Sequence, residues 1–451
     1  MKTQSLTQKT LDALNKPVDI AALVFFRIFS GALLAFELGN RLHYGVPQNR
    51  IAIDSHFTYV GLGWTQPTLS NFIYGFYAMA IAGGVGVALG LYYRLSAAML
   101  FVGYTAMLIT EKADYVNHRY LYVLVALILL ITPAHRACSI DAWRKPSLAS
   151  QTAPAWTLYL PLFQMSLVYF FAGVAKLDID WLNGRQMAIW LPKRINKSIW
   201  GELLATPWLP LVMAWSGLVF DLTVAPLMLW KRSRPWAFGA AAAFHLTNAT
   251  IFGLASFPWF ALLMTSLYFP PSWPRRLPWL GPKIGPQTPP EPPKRIQHSA
   301  LGRWGLAAIA LYAVIQLALP LRHWAFPGHP SWSEEGHRFA WRMMIRSKQG
   351  TVRYRVVDPA TGKSTIEHPK DHLSDNQTRK LIRDPDMILE LAHRIAAQYA
   401  QNGTPNVQVY ALTQVKLNGH PHKPMIDPTV DLAAEARSFG HYPWVTPRPE
   451  P

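Results

Sequence analysis

The sequence predicts a mainly α fold: a polytopic helical membrane protein with about nine spans, carrying a small α+β extramembrane domain at its C-terminal end. Three observations predict it. The 451 residues are 51% hydrophobic and only 15% charged, a balance that soluble domains seldom show. Several apolar runs reach the roughly 20 residues that a helix needs to cross a hydrocarbon core of about 30 Å. Beyond residue 320 those runs stop, and apolar residues alternate as in short strands or recur as on one amphipathic helix.

The candidate spans lie near residues 20–38, 70–92, 95–110, 120–133, 155–175, 207–230, 236–252, 255–270 and 304–320. The first contains "IAALVFFRIFSGALLAF"; with no small-residue cleavage signal after it, it reads as a retained span. The third and fourth are short. "FPPSWPRRLPWLGPKIGPQTPPEPPKRIQ" follows the eighth as a stiff, Pro-rich connector without helical periodicity. The chain therefore divides into a transmembrane domain over 1–271, a cytoplasmic connector over 272–303, a last span over 304–320, and an extracytoplasmic α+β domain over 321–451.

Orientation follows from charge. A cytoplasmic N terminus puts Arg144 to Pro146, Lys231 to Arg234 and the basic connector inside, as the positive-inside rule favours, and the loop of Lys193, Arg194 and Lys197 outside, against it. In the C-terminal domain, "GTVRYRVVDPATGKSTIEH" reads as a hairpin around a Pro and Gly turn. "DPDMILELAHRIAAQYAQNG" reads as a helix with Asp384 as cap, Pro385 at its first position and Gly403 as its stop. "NVQVYALTQVKLNG" alternates again.

Ionisable side chains at or inside a span need a reason, whether function, pairing or snorkelling. Lys176 closes the fifth span. Asn117 and His118 open the fourth from the same side of the membrane, and His245 and Asn248 share one helix face within an apolar run. These groups converge on the outer half of the bilayer, although the orientation was fixed without them. The bland alternatives are a snorkelling anchor for Lys176, a loop residue for His118, and inter-helix hydrogen bonding for His245 and Asn248. Arg27, inside the first span, reads as snorkelling inwards.

Other chemistry is not signalled. There is no Gly-rich phosphate loop, no His-Glu-x-x-His helix and no Cys-based metal pattern, and the single cysteine, Cys138, excludes an internal disulfide. The net charge of +18 is spread over loops without a nucleic-acid stripe, and reads as attraction to anionic membrane lipid.

The segment "VYFFAGVAKLDIDWLNG", from Val168, resembles the signature of the vitamin K-dependent γ-glutamyl carboxylases. So do "GLYYRLS" at Gly90, "NHRYLYVLVALILL" at Asn117, "FDLTVAPLML" at Phe220, "FHLTNATIFG" at Phe244, "WPRRL" at Trp273 and "WSEEGHRFAWRMMIRSK" at Trp332, in the family's order and on to about Asp431. The resemblance implies an enzyme, a lyase with epoxidase activity, that converts protein glutamate to γ-carboxyglutamate. It uses CO2, O2 and reduced vitamin K, which becomes the 2,3-epoxide, and no metal. The γ-hydrogen of glutamate is too weak an acid for any side chain, so the energy has to come from oxidising the quinol. A protein base need only start that oxidation by taking the quinol proton.

The resemblance makes Lys176 that base and Lys176 with His118 the catalytic candidates. It assigns Asn117, His245, Asn248, Phe257, Met343 and Met344 to quinone binding. A lysine is a base only when uncharged, which an apolar surrounding favours and a facing carboxylate opposes, so Asp178 and Asp180 are expected to point elsewhere. His337 stands where animal members have a tyrosine, and the disulfide of animal members cannot form. The shortness of the luminal part points to a bacterial inner-membrane protein using phylloquinone or menaquinone hydroquinone, with a glutamate-containing peptide or protein as partner. The rival readings are a quinol epoxidase that does not carboxylate protein, and a non-enzymatic quinone- or peptide-binding membrane module.

Overall fold

The computed structural model describes residues 5–47, 56–65, 72–197, 201–254, 256–284 and 300–448. Most of the Pro-rich connector, 285–299, lies outside the described residues. Every apolar run that the sequence marks out is helical: α1 (Ala21–His43), α2 (Ile73–Leu89), α3 (Tyr93–Thr110), α4 (Asn117–Ile131), α5 (Trp156–Ala175), α6 (Leu209–Leu229), α7 (Arg234–Phe252), α8 (Phe257–Ser266) and α9 (Arg303–Leu321). Among the described residues five helices are long and apolar enough to cross a membrane, those beginning at Ala21, Tyr93, Trp156, Leu209 and Arg303. Length and composition thus support five of the expected nine spans. Helices α2, α4 and α8 are apolar but shorter, and α7 interrupts its apolar run with Arg234, His245 and Asn248.

Glycine sets the closeness of the first three helices. A Cβ on Gly31 of α1 would lie 2.5 Å from the Gly84 carbonyl oxygen of α2, and one on Gly83 would lie 2.5 Å from the Leu100 nitrogen of α3. Only a missing side chain permits such backbone contact, which compensates for the absence of a hydrophobic drive between helices in lipid. Arg27 overturns its sequence reading. It does not snorkel but is fully buried, donating to the carbonyls of Cys138 at 2.5 Å, Ala134 and Ala137 at 3.2 Å each and Ala88 at 3.4 Å. Ala88 lies at the end of α2 and the other three line the turn after α4, so the guanidinium satisfies the α2 end and ties that turn to it.

The C-terminal domain is an antiparallel sheet of β1 (Lys348–Val357), β2 (Ser364–Glu367) and β3 (Gln408–Leu417) in the order β2-β1-β3, covered by α10 (Pro385–Gln401). Asp384 caps α10 by accepting from the Met387 amide at 3.3 Å, Pro385 takes the first position, and Gly403 follows with φ 88°. The alternation in β1 and β3 buries Val352, Tyr354, Val356, Val409, Ala411 and Val415 against Ile388, Leu391, Ala392 and Ile395 of α10. Charge fastens this domain to the helices. The α3–α4 turn supplies Lys112, which pairs with Asp384 and Asp386, and Glu111, which accepts from Gln377 at 2.9 Å. All five are buried, so the pairs are desolvated and specify one docking geometry.

Candidate active site

One cavity of about 1190 Å³ lies between α4, α5, α6, α7 and the start of the C-terminal domain. That exceeds the few hundred to about 1,000 Å³ of a usual small-molecule site. All eight residues singled out from the sequence line it: Asn117, His118, Lys176, His245, Asn248, Phe257, Met343 and Met344.

Lys176 is the C-cap of α5 and is 5% exposed. Its amine donates to Asp221 Oδ2 at 2.6 Å and to the Ala172 carbonyl at 3.2 Å, and lies 5.2 Å from the centre of the Trp181 ring. Asp178 and Asp180 turn away from it. Asp178 accepts from His329 at 2.7 Å, and Asp180 accepts from Asn418, His420 and Arg448 at 2.9, 2.8 and 2.6 Å. Burial works against the Asp178 charge, but His329 and Arg448 outweigh it and hold the carboxyl below its ordinary value. The expected apolar surrounding of Lys176 is therefore incomplete, because a third carboxylate, Asp221, faces it from α6.

Asn117 opens α4 with its side-chain oxygen accepting from Tyr115 at 2.9 Å and one N–H donating to the Arg342 carbonyl at 3.2 Å. One N–H is left over. His118 makes no hydrogen bond to another described residue; its ring contacts Tyr122 and Phe257 with centroids 5.6 and 5.9 Å apart. Both its nitrogens remain for a ligand. His245 binds the Tyr169 hydroxyl at 2.9 Å, and that hydroxyl also meets Thr265 at 2.7 Å. Thr265 already donates to the Ala261 carbonyl, so Tyr169 donates to Thr265 and accepts from His245 Nε2–H. Phe220, Phe244 and Phe257 surround this imidazole with centroids 5.3 to 6.1 Å away, and together with Met343 and Met344 they give the cavity an apolar wall.

The segment carrying the two methionines is strained. Glu334, Phe339, Trp341 and Met344 all have φ between 53° and 66°, each disfavoured for a residue with a Cβ. Side chains from elsewhere hold it: Tyr115 accepts from the Phe339 amide at 2.6 Å, Arg322 donates to the Arg338 carbonyl at 2.6 Å, and Gln186 donates to the Ile345 carbonyl at 2.8 Å. Asn117 is thus part of the clamp that shapes the cavity.

Where the cavity meets the C-terminal domain it is basic. Arg338, Arg342, Arg346, Lys380 and Arg383 line it there against two carboxylates, Glu334 and Asp384. Burial and the neighbouring arginines push Lys380 down to about 8, and burial lowers Arg342 to about 10. Asp384 stays ionised despite its burial because Arg338 and Lys112 hold its carboxyl far below the ordinary range. His337 is 6% exposed, and burial among Arg346, Arg342 and Arg338 keeps it well below the usual imidazole value. It contributes a neutral ring.

Sequence reasoning missed Asp221, Tyr169 and this basic end. Asp221 had a signal, since a carboxylate within a span is a functional candidate by default. Tyr169 and the basic residues had none, because their role depends on contacts between elements far apart in sequence.

Comparison with known families matches residues 15–273 to the HTTM domain and residues 302–450 to the lumenal domain of vitamin K-dependent gamma-carboxylase. No solved structure matches the chain. The two matches lie on the two parts that build the cavity, the helical bundle and the domain docked on it, and the chain belongs to the vitamin K-dependent γ-glutamyl carboxylase family.

Proposed function

We propose that this chain carboxylates glutamate in a protein or peptide substrate, coupled to oxidation of reduced vitamin K to its 2,3-epoxide by O2, with Lys176 as the base that takes the quinol proton. The observation that carries the reading is the meeting of a buried lysine, two histidines and two asparagines with an aromatic and methionine wall in one cavity. The cavity fits a naphthoquinol. Its volume is ample, Phe257, Met343 and Met344 offer flat and polarisable apolar contact, and His118 and the spare N–H of Asn117 are free to bond its oxygens. Reduced vitamin K, consumed as co-substrate, supplies the oxidation energy that no side chain has. Lys176 accepts a proton, His118 orients the ring, and the apolar wall keeps bulk water from a strong base.

The basic end of the cavity supports an acidic peptide as the second substrate, since a glutamate side chain entering there meets unbalanced positive charge. The reading places the C-terminal domain on the extracytoplasmic side of a bacterial inner membrane, with phylloquinone or menaquinone hydroquinone as the quinol; the basic loops at Arg144 and Lys231 support that orientation. The test is incubation of the purified protein in detergent with reduced vitamin K, labelled bicarbonate and a Glu-rich peptide. Label in the peptide together with epoxide supports the proposal. Epoxide without label leaves an epoxidase that does not carboxylate protein, and neither product rejects an enzymatic role.

A further inference from the structure

Among the buried ionisable groups of the cavity that the sequence did not assign, the carboxylate of Asp221 is the one bonded to Lys176. We propose that Asp221 is the positioning partner of Lys176: it fixes the direction in which the amine presents its lone pair and neutralises the ammonium formed when the amine accepts a proton. The proposal rests on the reading of Lys176 as the base.

The geometry supplies the argument. Gly217 and Asp221 lie four residues apart on α6 and so share one face. A Cβ at Gly217 would lie 3.9 Å from Lys176 Cε, so the lysine stem lies along this face and its amine reaches Asp221 one turn further on. Asp221 is 4% exposed and makes no hydrogen bond to any other described residue, so its carboxylate is committed to Lys176. The carboxylates nearer in sequence are not free for the task, since Asp178 and Asp180 are taken by His329, Asn418, His420 and Arg448.

An uncharged amine has two N–H groups and one lone pair. Asp221 Oδ2 and the Ala172 carbonyl can only accept, so they take both N–H groups and leave the lone pair for the cavity. When Lys176 acts, an O–H bond of the quinol breaks, its electron pair stays on oxygen, and a third N–H bond forms. The resulting ammonium lies 2.6 Å from a carboxylate instead of unpaired in an apolar wall. This is the logic of a base held by a third group, as in hydrolase triads. Among the described residues Asp221 from α6 is the charged group bonded to the amine; the uncharged Trp181 face lies beside it, and His245 lines the same cavity from α7.

The test uses the full chain in detergent micelles and a reagent that does not depend on catalysis. Cyanate carbamylates only uncharged amines, so its rate at Lys176, read by mass spectrometry across pH, reports how readily that amine loses its charge. Asp221→Asn keeps an acceptor oxygen but removes the negative charge. At one fixed pH, Lys176 in this variant should label about tenfold faster than in wild type, and kcat for epoxidation should fall about 100-fold with the quinol KM nearly unchanged. A merely structural carboxylate would not move the labelling curve. Asp221→Glu, which keeps the charge but displaces it, should keep the wild-type labelling curve and lose about tenfold in kcat. Coincident labelling curves for wild type and Asp221→Asn overturn the proposal, and so does full kcat in Asp221→Glu should the asparagine variant fail to fold. Coincident curves alongside loss of epoxidation in Lys176→Ala would leave the base standing without this partner. A labelling difference between wild type and Asp221→Asn, with no epoxide formed by the wild type, would instead defeat the base reading, and the positioning role with it.

Discussion

Removing the Asp180 carboxylate should loosen the C-terminal domain from the loop that follows Lys176. Asp180 is fully buried and receives three donors from residues more than two hundred positions away: Asn418 Nδ2 at 2.9 Å, His420 Nε2 at 2.8 Å and Arg448 at 2.6 Å. Asn418 and His420 are themselves 2% and 4% exposed, so Asp180→Ala strands two buried donors at about 1–3 kcal/mol each. Arg448 keeps Asp178 as a second, weaker partner at 3.6 Å, which limits its own share. A total of about 3–5 kcal/mol agrees with the usual cost of breaking a buried charged pair. The assay is thermal melting of the purified protein in micelles, where the midpoint should drop by about 3–5 °C. Limited proteolysis should then cut within the C-terminal domain first. Asp178→Ala, whose partner His329 is partly exposed, should lose less. An Asp180→Ala protein melting within about 1 °C of wild type would refute the view that this carboxylate fastens the two parts.

Two further expectations concern the frame around the site. Gly31→Ala would put a methyl group 2.5 Å from the Gly84 carbonyl and 2.6 Å from the Ala88 nitrogen, both backbone atoms, and should lower stability by about 1–3 kcal/mol in the same melting assay. Gly39→Ala, one turn or more along the same helix with nothing within 4 Å, should be neutral. Lys348 donates to Glu334 and to the Trp332 and Arg383 carbonyls, and burial pushes it down to about 8 from an ordinary 10.5. Between those values the unfolded chain binds more protons than the folded one, so stability should rise with pH from about 8 to 10.5, by about 3 kcal/mol in all, and stay level below 8. Melting midpoints at pH 7.5, 9 and 10 should show that rise in wild type and not in Lys348→Met; the same slope in both would contradict it.

The parts legible in the sequence were those with a local cause. Apolar runs longer than the third and fourth could only be helices in lipid, and each of the nine marked runs is helical. Asp384, Pro385 and Gly403 bounded α10 because capping is chemistry within a few residues, and the alternation of β1 and β3 reflects burial on one face of a sheet. The number of spans was less legible, because shorter helices such as α4 and α8 are apolar whether they cross a bilayer or pack within a bundle. Arg27 was misread because snorkelling is judged from the position of one residue, whereas its actual partners are carbonyls at 88, 134, 137 and 138 that only folding assembles. The gathering of the polar residues was expected from the orientation read from charge, and all eight do line one cavity. The partner of Lys176 was not, because the two aspartates beside it in sequence drew the attention that belonged to Asp221, forty-five residues away.

The central claim is that the Lys176 amine is the base for quinol oxidation, and the most direct measurement is epoxide formation by Lys176→Ala in the full chain, with and without an added small amine. The account predicts that epoxide formation is abolished in the variant, with quinol still bound, and that it returns as methylamine or a similar amine is supplied. Epoxide formation at the wild-type rate in Lys176→Ala without any amine would contradict it.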